Sequence, residues 1–216
     1  MEINKYIDHT NLNMTATVKD IEKLCEEAKK YKFSSVCVNP CYVELASKLL
    51  DKTDVDVCTV IGFPLGANKS ITKEYEAIAA IEDGATEIDM VINVGALKDK
   101  DYEYVKHEIE SIRDAIDGHI LKVIIETGYL TDEEIIKAVQ ICNETYVNFV
   151  KTSTGFGKRG VNMHDIELIN ENKSELLEIK ASGGIKTQEF IEELLDNGVT
   201  RIGTSKAIEL IEGSDK

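Results

Sequence analysis

The sequence predicts an α/β fold of the (β/α)8 TIM barrel type, and three observations support this prediction. Short runs rich in β-branched residues alternate with longer stretches of helical spacing, which is the signature of a parallel sheet. Eight such runs fit into the 216 residues, a length typical of one barrel of this kind. The runs lack the polar–apolar alternation of a half-exposed sheet, so both faces are expected to be buried.

No linker or low-complexity segment interrupts the chain, and we expect a single barrel domain over residues 1–216. A G-x-G-x-x-G turn is missing after the first strand, which counts against a dinucleotide-binding sheet. The predicted strands are, in order, KYIDHT (5–10), SSVCVNP (34–40), VDVCTVIGFP (55–64), TEIDMVIN (86–93), LKVIIET (121–127), VNFVKTS (147–153), LEIKASGG (177–184) and TRIGTS (200–205).

The stretches between the strands carry the signals of amphipathic helices. Thr131 is followed three residues later by Glu134, a capping-box pattern that predicts a helix start, and Thr187 is a second N-cap candidate. Gly84 and Gly198 predict the ends of two helices. In TVKDIEKLCEEAKKY (17–31) an apolar stripe at helical spacing comprises Val18, Ile21, Leu24, Cys25 and Ala28.

The charge balance limits the partners. Lys and Arg total 25 against 40 Asp and Glu, a formal net charge of −15, whereas nucleic acids and anionic membranes require a basic face. No stretch approaches the roughly 18 apolar residues of a membrane span, and the N-terminus lacks the apolar core of a secretion signal. We therefore expect a cytoplasmic protein that binds neither nucleic acid nor membrane.

Cysteine and histidine give little support to a metal site. The five cysteines are odd in number and lack a repeated spacing, which favours reduced thiols in the cytoplasm. The four histidines are scattered, without an HxH or HExxH pair. No metal and no organic cofactor are expected.

Two lysines lie near the ends of predicted strands, where the active site of such a barrel is found. Lys151 belongs to NFVKTSTGFG (148–157), and Lys180 follows one strand–helix unit later, in EIKASGG (178–184). Neighbouring strands lie about 4.8 Å apart, so the two side chains are expected to meet. Repulsion and desolvation would then leave such a lysine partly neutral and nucleophilic towards carbonyls. Alternatively, each lysine pairs with a carboxylate and holds the barrel mouth together.

Asp89, in the fourth predicted strand, is expected at the same depth as Lys151, because alternate barrel strands share an interior layer. A carboxylate there can relay protons to and from a bound intermediate. A compatible alternative is that Asp89 only balances the charge of the lysines. Lys122, at the opposite end of its strand, is expected to be structural or solvated.

Glycines follow the sixth, seventh and eighth strands, where barrels usually bind phosphate. Backbone N–H groups and a helix dipole attract an anion there, and Thr204 and Ser205 add hydroxyl donors. A single glycine is as well explained by a tight turn, so this prediction depends on three converging loops, which contain Gly155, Gly157, Gly183, Gly184 and Gly203. An imine-forming lysine, a proton relay and a phosphate site together predict a class I aldolase acting on a sugar phosphate.

Eight stretches along the chain carry a family resemblance: YIDHTNL (6–12), VCVNP (36–40), VIGFPLG (60–66), EIDMVINVGALK (87–98), KVIIETGYL (122–130), FVKTSTGFG (149–157), IKASGGI (179–185) and RIGTS (201–205). With them the chain resembles the deoxyribose-phosphate aldolases. The resemblance implies a (β/α)8 barrel that reversibly cleaves 2-deoxy-D-ribose 5-phosphate into D-glyceraldehyde 3-phosphate and acetaldehyde, in deoxyribonucleotide catabolism and without a cofactor.

The resemblance also implies roles for individual residues. Lys151 becomes the Schiff-base lysine, Lys180 the neighbour that tunes it and shares in proton transfer, and Asp89 the proton donor and acceptor. The remaining matches are the pocket-lining positions Asp8, Thr10 and Cys37 and the phosphate positions Gly155, Gly184, Gly203 and Ser205.

Three basic residues near the expected phosphate end have more than one interpretation. Lys158 and Arg159 lie near the expected phosphate end and either contribute charge or remain solvated, and Lys206 is bulkier than the small residue expected there. The implied partners are small phosphorylated sugars and aldehydes, and both a homodimer and a homotetramer are open. The alternatives in function are another class I or transaldolase-like enzyme, a metal-dependent aldolase, and a sugar-phosphate sensor without turnover.

Overall fold

A computed structural model describes residues 3–213, and the outermost residues of the predicted domain, 1–2 and 214–216, lie outside this range. Eight parallel strands form a closed barrel in chain order. The strands are β1 (Ile7–Asn11), β2 (Ser35–Val38), β3 (Asp56–Ile61), β4 (Glu87–Val91), β5 (Ile120–Ile124), β6 (Phe149–Lys151), β7 (Glu178–Ser182) and β8 (Arg201–Thr204). Because β1 pairs with both β2 and β8, the sheet has no edge. The predicted TIM barrel is confirmed, and every predicted strand overlaps an observed one.

Helices connect the strands and pack on the outer face of the barrel. They are α1 (Val18–Tyr31), α2 (Val43–Leu49), α3 (Ser70–Glu82), α4 (Val94–Lys98), α5 (Tyr102–Ala115), α6 (Asp132–Glu144), α7 (Met163–Asn172), α8 (Gln188–Asp196) and α9 (Ala207–Glu212). Short 3-10 turns occur at Ile3–Tyr6, Pro40–Tyr42 and Thr127–Tyr129. Over the described range, no helix is both long enough and apolar enough to cross a membrane.

The helix boundaries follow the predicted capping signals. Thr131 Oγ1 accepts a hydrogen bond from the backbone N–H of Glu134 at 3.3 Å, and the Glu134 carboxylate accepts one from the backbone N–H of Thr131 at 2.9 Å. This box satisfies donors that a helix start leaves unpaired. Thr187 caps α8 through its side chain. Gly84 and Gly198, with φ of 102° and 84°, follow α3 and α8 and allow the chain to turn away from each helix.

The apolar core lies between the outer face of the barrel and the helices. In α1 the predicted stripe is buried at Ile21, Leu24, Cys25 and Ala28, whereas Val18, the first helical residue, is 51% exposed. The stripe therefore begins one turn later than predicted.

Candidate active site

Every strand contributes at least one polar or sulfur-bearing side chain to a cluster inside the barrel. Contacts between side chains on strands that are not neighbours place these groups in the interior. We call the set the interior cluster; its members are Asp8, Cys37, Cys58, Glu87, Asp89, Lys122, Lys151, Lys180 and Arg201.

Asp89 is the centre of the interior cluster. Its Oδ2 accepts hydrogen bonds from Lys151 at 2.7 Å and from Lys180 at 2.6 Å. Its Oδ1 accepts from Lys122 at 2.9 Å and from the Cys58 thiol at 3.2 Å. Burial alone would raise the pKa of this carboxyl, but the three ammonium groups hold it well below its usual range. Asp89 is therefore a carboxylate, and its predicted proximity to Lys151 is observed.

Lys180 is fully buried and lies between two carboxylates. Its Nζ is 2.6 Å from Asp89 Oδ2 and 2.5 Å from Asp8 Oδ2, the latter an ion contact without hydrogen-bond geometry. Burial alone would lower the pKa of Lys180, but Asp8 and Asp89 raise it above its usual range. The two carboxylates thus outweigh desolvation and repulsion between the lysines. For Lys180 the structure shows the alternative in which a lysine pairs with a carboxylate.

The prediction that Lys151 and Lys180 lie on adjacent strands is confirmed, since they are Cα partners in the β6–β7 register. Lys122, in contrast, is not solvated. It is fully buried and donates to Glu87 at 2.6 Å as well as to Asp89. The long side chain reaches the interior layer from the middle of β5, which spacing along the sequence did not reveal.

Arg201 and Glu87 are members of the interior cluster that the sequence reasoning missed. Arg201 Nη1 donates to Asp8 Oδ1 at 2.7 Å and to Glu87 Oε1 at 3.1 Å. Burial alone would lower the pKa of Arg201, but the two carboxylates raise it above its usual range. Both residues are second in their predicted strands, TEIDMVIN and TRIGTS, after a threonine. A charge near a strand start is also compatible with a solvated end.

Lys151, the last residue of β6, lines a cavity of about 400 Å³ at the carboxyl ends of the strands. Six of the predicted substrate-binding residues line this cavity: Thr10, Gly155, Gly183, Gly184, Gly203 and Ser205. Asp8 and Cys37 are instead fully buried within the interior cluster. Asp8 contacts Lys180, and Cys37 packs against Cys58.

The glycine loops at the rim of the cavity approach one another closely. Gly155, Gly183 and Gly184 have φ of 87°, 80° and 74°, in the region that favours glycine. Gly160, on the loop after β6, lies so near Gly183 that a Cβ there would be 2.0 Å from the Gly183 carbonyl oxygen. Gly160 was missed in the sequence because only the folded loops reveal this approach.

Two lysines stand at the rim of this cavity, Lys186 and Lys206. Lys206 Nζ lies 3.3 Å from Glu209 Oε2, and both side chains are exposed. Lys186 was also missed, although it directly follows the glycine loop after β7. Both lysines add positive charge beside the glycine loops.

Lys158 and Arg159 are absent from the lining of this cavity. The Lys158 ammonium lies 4.8 Å from the centre of the Tyr129 ring. Arg159 donates two hydrogen bonds, of 2.5 and 2.9 Å, to the buried carboxylate of Asp165. Arg159 therefore stabilises the loop after β6.

Two groups of potential metal ligands occur among residues 3–213: Cys37, Cys58 and Asp89, and Asp8, Cys58 and Glu87. Every carboxylate in these groups already contacts a lysine or arginine. These carboxylates are already paired with cations, so the donor set fits an ion-pair network better than a metal site.

A sequence model described as the DeoC/LacD family aldolase matches residues 3–207. The chain therefore belongs to this family, and its class is that of the (β/α)8 barrel aldolases. It is 53% identical over 213 residues to the deoxyribose-phosphate aldolase of Finegoldia magna, covering 99% of this chain and 100% of the relative. It is 54% identical over 211 residues to that of Clostridium botulinum (strain Kyoto / Type A2), covering 98% and 100%.

Solved structures agree with these relatives. A putative deoxyribose-phosphate aldolase from Coccidioides immitis superposes with a TM-score of 0.95 at 39% identity, covering 98% of this chain and 85% of that one. The deoxyribose phosphate aldolase from Aeropyrum pernix, described as a unique tetramer, gives a TM-score of 0.91 at 32% identity, covering 97% and 89%. The predicted family, fold and aldolase function are confirmed.

Proposed function

We propose that this aldolase reversibly cleaves 2-deoxy-D-ribose 5-phosphate into D-glyceraldehyde 3-phosphate and acetaldehyde through a Schiff base on Lys151. The observation that carries this proposal is the placement of Lys151. Lys151 lines a cavity together with glycines of the loops after β6 and β7 and two further lysines, Lys186 and Lys206. A carbonyl carbon at the amine and a phosphate at the rim are the two features of this substrate.

The reaction begins when the neutral Lys151 amine attacks the C1 aldehyde of the open-chain sugar. One proton is taken up and water leaves, which forms an iminium ion. The C3 hydroxyl then loses its proton, the C2–C3 bond breaks, and the electron pair passes to C2 to give an enamine. Glyceraldehyde 3-phosphate then leaves, and its aldehyde carbon is the former C3 of the substrate. A proton adds to C2, which gives an iminium ion again. Water hydrolyses this ion to acetaldehyde and the free Lys151 amine and releases the proton taken up in the first step. The lysine itself supplies the electron sink, so this scheme requires no metal or organic cofactor.

Asp89 and Lys180 move the protons in this scheme. Their side chains are 2.6 Å apart and both lie next to the Lys151 amine. Asp89 is a carboxylate and Lys180 an ammonium, so together they hold both an acceptor and a donor. We infer that the C3-hydroxyl proton reaches this pair through a water and is returned to C2 of the enamine.

The phosphate of the substrate binds at the rim of the cavity. Backbone N–H groups of Gly183 and Gly184 and the hydroxyl of Ser205 are suited to an anion there. Lys186 and Lys206 add positive charge beside the same loops. In this assignment, the phosphate and the aldehyde of the substrate lie at opposite ends of one cavity.

Three further points are proposed for the working enzyme. The chain acts as one catalytic domain in deoxyribonucleotide catabolism. All five cysteines are free, which suits a reducing compartment, and we place the enzyme in the cytoplasm. It forms a homodimer or a homotetramer, and the tetrameric relative supports the second.

Borohydride reduction in the presence of acetaldehyde, followed by peptide mass spectrometry, tests the assignment. An adduct on the peptide that contains Lys151, and its loss in Lys151→Met, are expected. An adduct on Lys180 would transfer the nucleophile's role to that residue, and no adduct on folded protein would contradict the Schiff base altogether. This mechanism predicts that EDTA leaves the activity unchanged. A metal-dependent aldolase would lose activity in EDTA.

A further inference from the structure

The interior cluster contains three carboxylates and four basic groups. The carboxylates belong to Asp8, Glu87 and Asp89, and the basic groups are Lys122, Lys151, Lys180 and Arg201. With all seven ionised, the cluster carries one surplus positive charge. A net charge in a buried site is costly, so the loss of one proton from a basic group leaves the cluster neutral.

Lys151 has fewer carboxylate contacts than the other three basic groups of the interior cluster. It contacts one carboxylate, Asp89, at 2.7 Å. Lys180 contacts both Asp8 and Asp89, and Arg201 contacts both Asp8 and Glu87. Lys122 likewise has more than one carboxylate partner. Lys151 is also the only one of the four that lines the cavity.

Arg201 and Glu87 reach the interior cluster from the end opposite the cavity. They are the first residues of β8 and β4, whereas Lys151 is the last residue of β6. Neither lines the cavity. The Arg201 guanidinium packs over the Phe149 ring at 5.4 Å and bridges Asp8 and Glu87. Any effect of these two residues on the reaction must therefore act through other side chains.

We propose that Arg201 and Glu87 are positioning residues that set the charge state of Lys151 from the far side of the barrel. This inference rests on the proposed Schiff-base function. Arg201 provides the positive charge that, with Lys122 and Lys180, balances the three carboxylates without help from Lys151. Glu87 acts in the opposite direction. Its negative charge requires one more cation for balance and therefore favours the protonated form of Lys151.

The proposal predicts shifts of opposite sign for the loss of the two charges. Without the Arg201 charge, the interior cluster is balanced only when Lys151 is protonated, so imine formation requires a higher pH. Without the Glu87 charge, protonated Lys151 adds to a larger positive surplus, so imine formation extends to lower pH. A merely structural role of either residue would change the yield of the reaction without this pair of opposite shifts.

The two thiols of the interior cluster do not alter these signs. Burial raises the pKa of Cys58 well above its usual range, which keeps it neutral. The hydrogen bond from Cys58 lowers the pKa of Cys37, and Lys180 acts in the same direction. Besides Lys151, the lysines that line the cavity are Lys186 and Lys206. All four are present in every variant, so differences between variants report on the changed charge.

The test measures the initial rate of borohydride-trapped acetaldehyde adduct on the Lys151 peptide as a function of pH. In Arg201→Met the rising limb of the profile is expected to move by about one unit to higher pH, with kcat at neutral pH reduced about tenfold and recovered at alkaline pH. In Glu87→Gln the limb is expected to move to lower pH. Arg201→Lys retains the charge and should keep the wild-type profile.

A matched control is Lys73→Met, which breaks another fully buried ion pair, with Glu108 at 2.8 Å, outside the interior cluster. It should lower stability and leave the profile in place. Coincident profiles for wild type and Glu87→Gln, or shifts of equal sign in Arg201→Met and Glu87→Gln, would overturn the proposal. Should Arg201→Met fail to fold, the nearly isosteric Glu87→Gln decides alone. Wild-type trapping on Lys151 is a separate result, so failure here leaves the proposed function intact.

Discussion

Lys151 and Lys180 donate hydrogen bonds to the same oxygen atom, Oδ2 of Asp89, at 2.7 and 2.6 Å. Two basic groups would repel each other at this separation if the carboxylate did not lie between them. The shared oxygen therefore does two things. It fixes the amine of Lys151, the proposed nucleophile, and it connects this amine to Lys180, the proposed proton carrier.

Replacing Asp89 by asparagine is expected to impair both catalysis and stability. The amide cannot accept a proton from the substrate, and a relay of this kind contributes about 10²- to 10⁴-fold in rate. Loss of the anion also leaves three buried ammonium groups without a shared partner, which costs about 3–5 kcal/mol when a buried pair is broken. Steady-state cleavage rates and urea unfolding measure the two effects.

Glu108→Gln is the control for the loss of stability in Asp89→Asn. It removes the partner of buried Lys73 outside the interior cluster and should lower stability while kcat stays within a few-fold of wild type. Wild-type kcat in Asp89→Asn would contradict the assigned relay.

Acid should destabilise the enzyme through Asp8 as well as Asp89. Burial alone would raise the pKa of Asp8, but Lys180 and Arg201 lower it below its usual range. A carboxyl whose folded pKa is depressed contributes stability that is fully present above its unfolded value, about 4, and is lost as the pH falls towards the folded value. The free energy of unfolding should therefore fall steeply below about pH 4.

Urea unfolding of wild type and Asp8→Asn between neutral and acid pH checks this expectation. The variant should be less stable at neutral pH and should show a shallower loss of stability in acid, because one of the depressed carboxyls is absent. An equal slope in both proteins would show that Asp8 does not contribute to the acid transition.

The parts of the structure that depend on local chemistry could be read from the sequence. The box of Thr131 and Glu134 involves residues three positions apart, and its pattern is visible in the chain. The proximity of Asp89 and Lys151 followed from a general rule of barrel layers. The contact between Arg201 and Asp8 joins residues 193 positions apart and depends on barrel closure and side-chain reach.

The charge partners of Lys180 and Arg159 could not be read from the sequence, for a related reason. Repulsion between neighbouring lysines was foreseen, but the second carboxylate on Lys180, from Asp8, was not. Arg159 stands close to the glycine loops in sequence, yet its guanidinium turns to Asp165. In both cases the deciding partner lies on a different element, and a charge in the sequence does not reveal which opposite charge the fold places beside it.

Gly160→Ala is expected to weaken binding of the phosphorylated substrate. The added Cβ would lie 2.0 Å from the Gly183 carbonyl oxygen, so the two loops must separate at the rim of the cavity. KM for 2-deoxy-D-ribose 5-phosphate should rise about tenfold or more, whereas trapping of acetaldehyde on Lys151 should change little. Gly95→Ala, where the nearest atom is 3.3 Å from the new Cβ, is the control and should behave as wild type.

Lys186→Met tests whether the ammonium group of Lys186 contributes to binding of the substrate phosphate. A hydrogen bond to a charged group is worth about 1.5–3 kcal/mol, so loss of the Lys186 ammonium should raise KM for the phosphorylated sugar by about 10- to 100-fold. KM for unphosphorylated 2-deoxyribose should be unchanged. Lys158→Met is the matched control, since the Lys158 ammonium lies over Tyr129 and does not line the cavity. An equal rise in KM for both variants would mean that the phosphate responds to general positive charge and not to the rim position of Lys186.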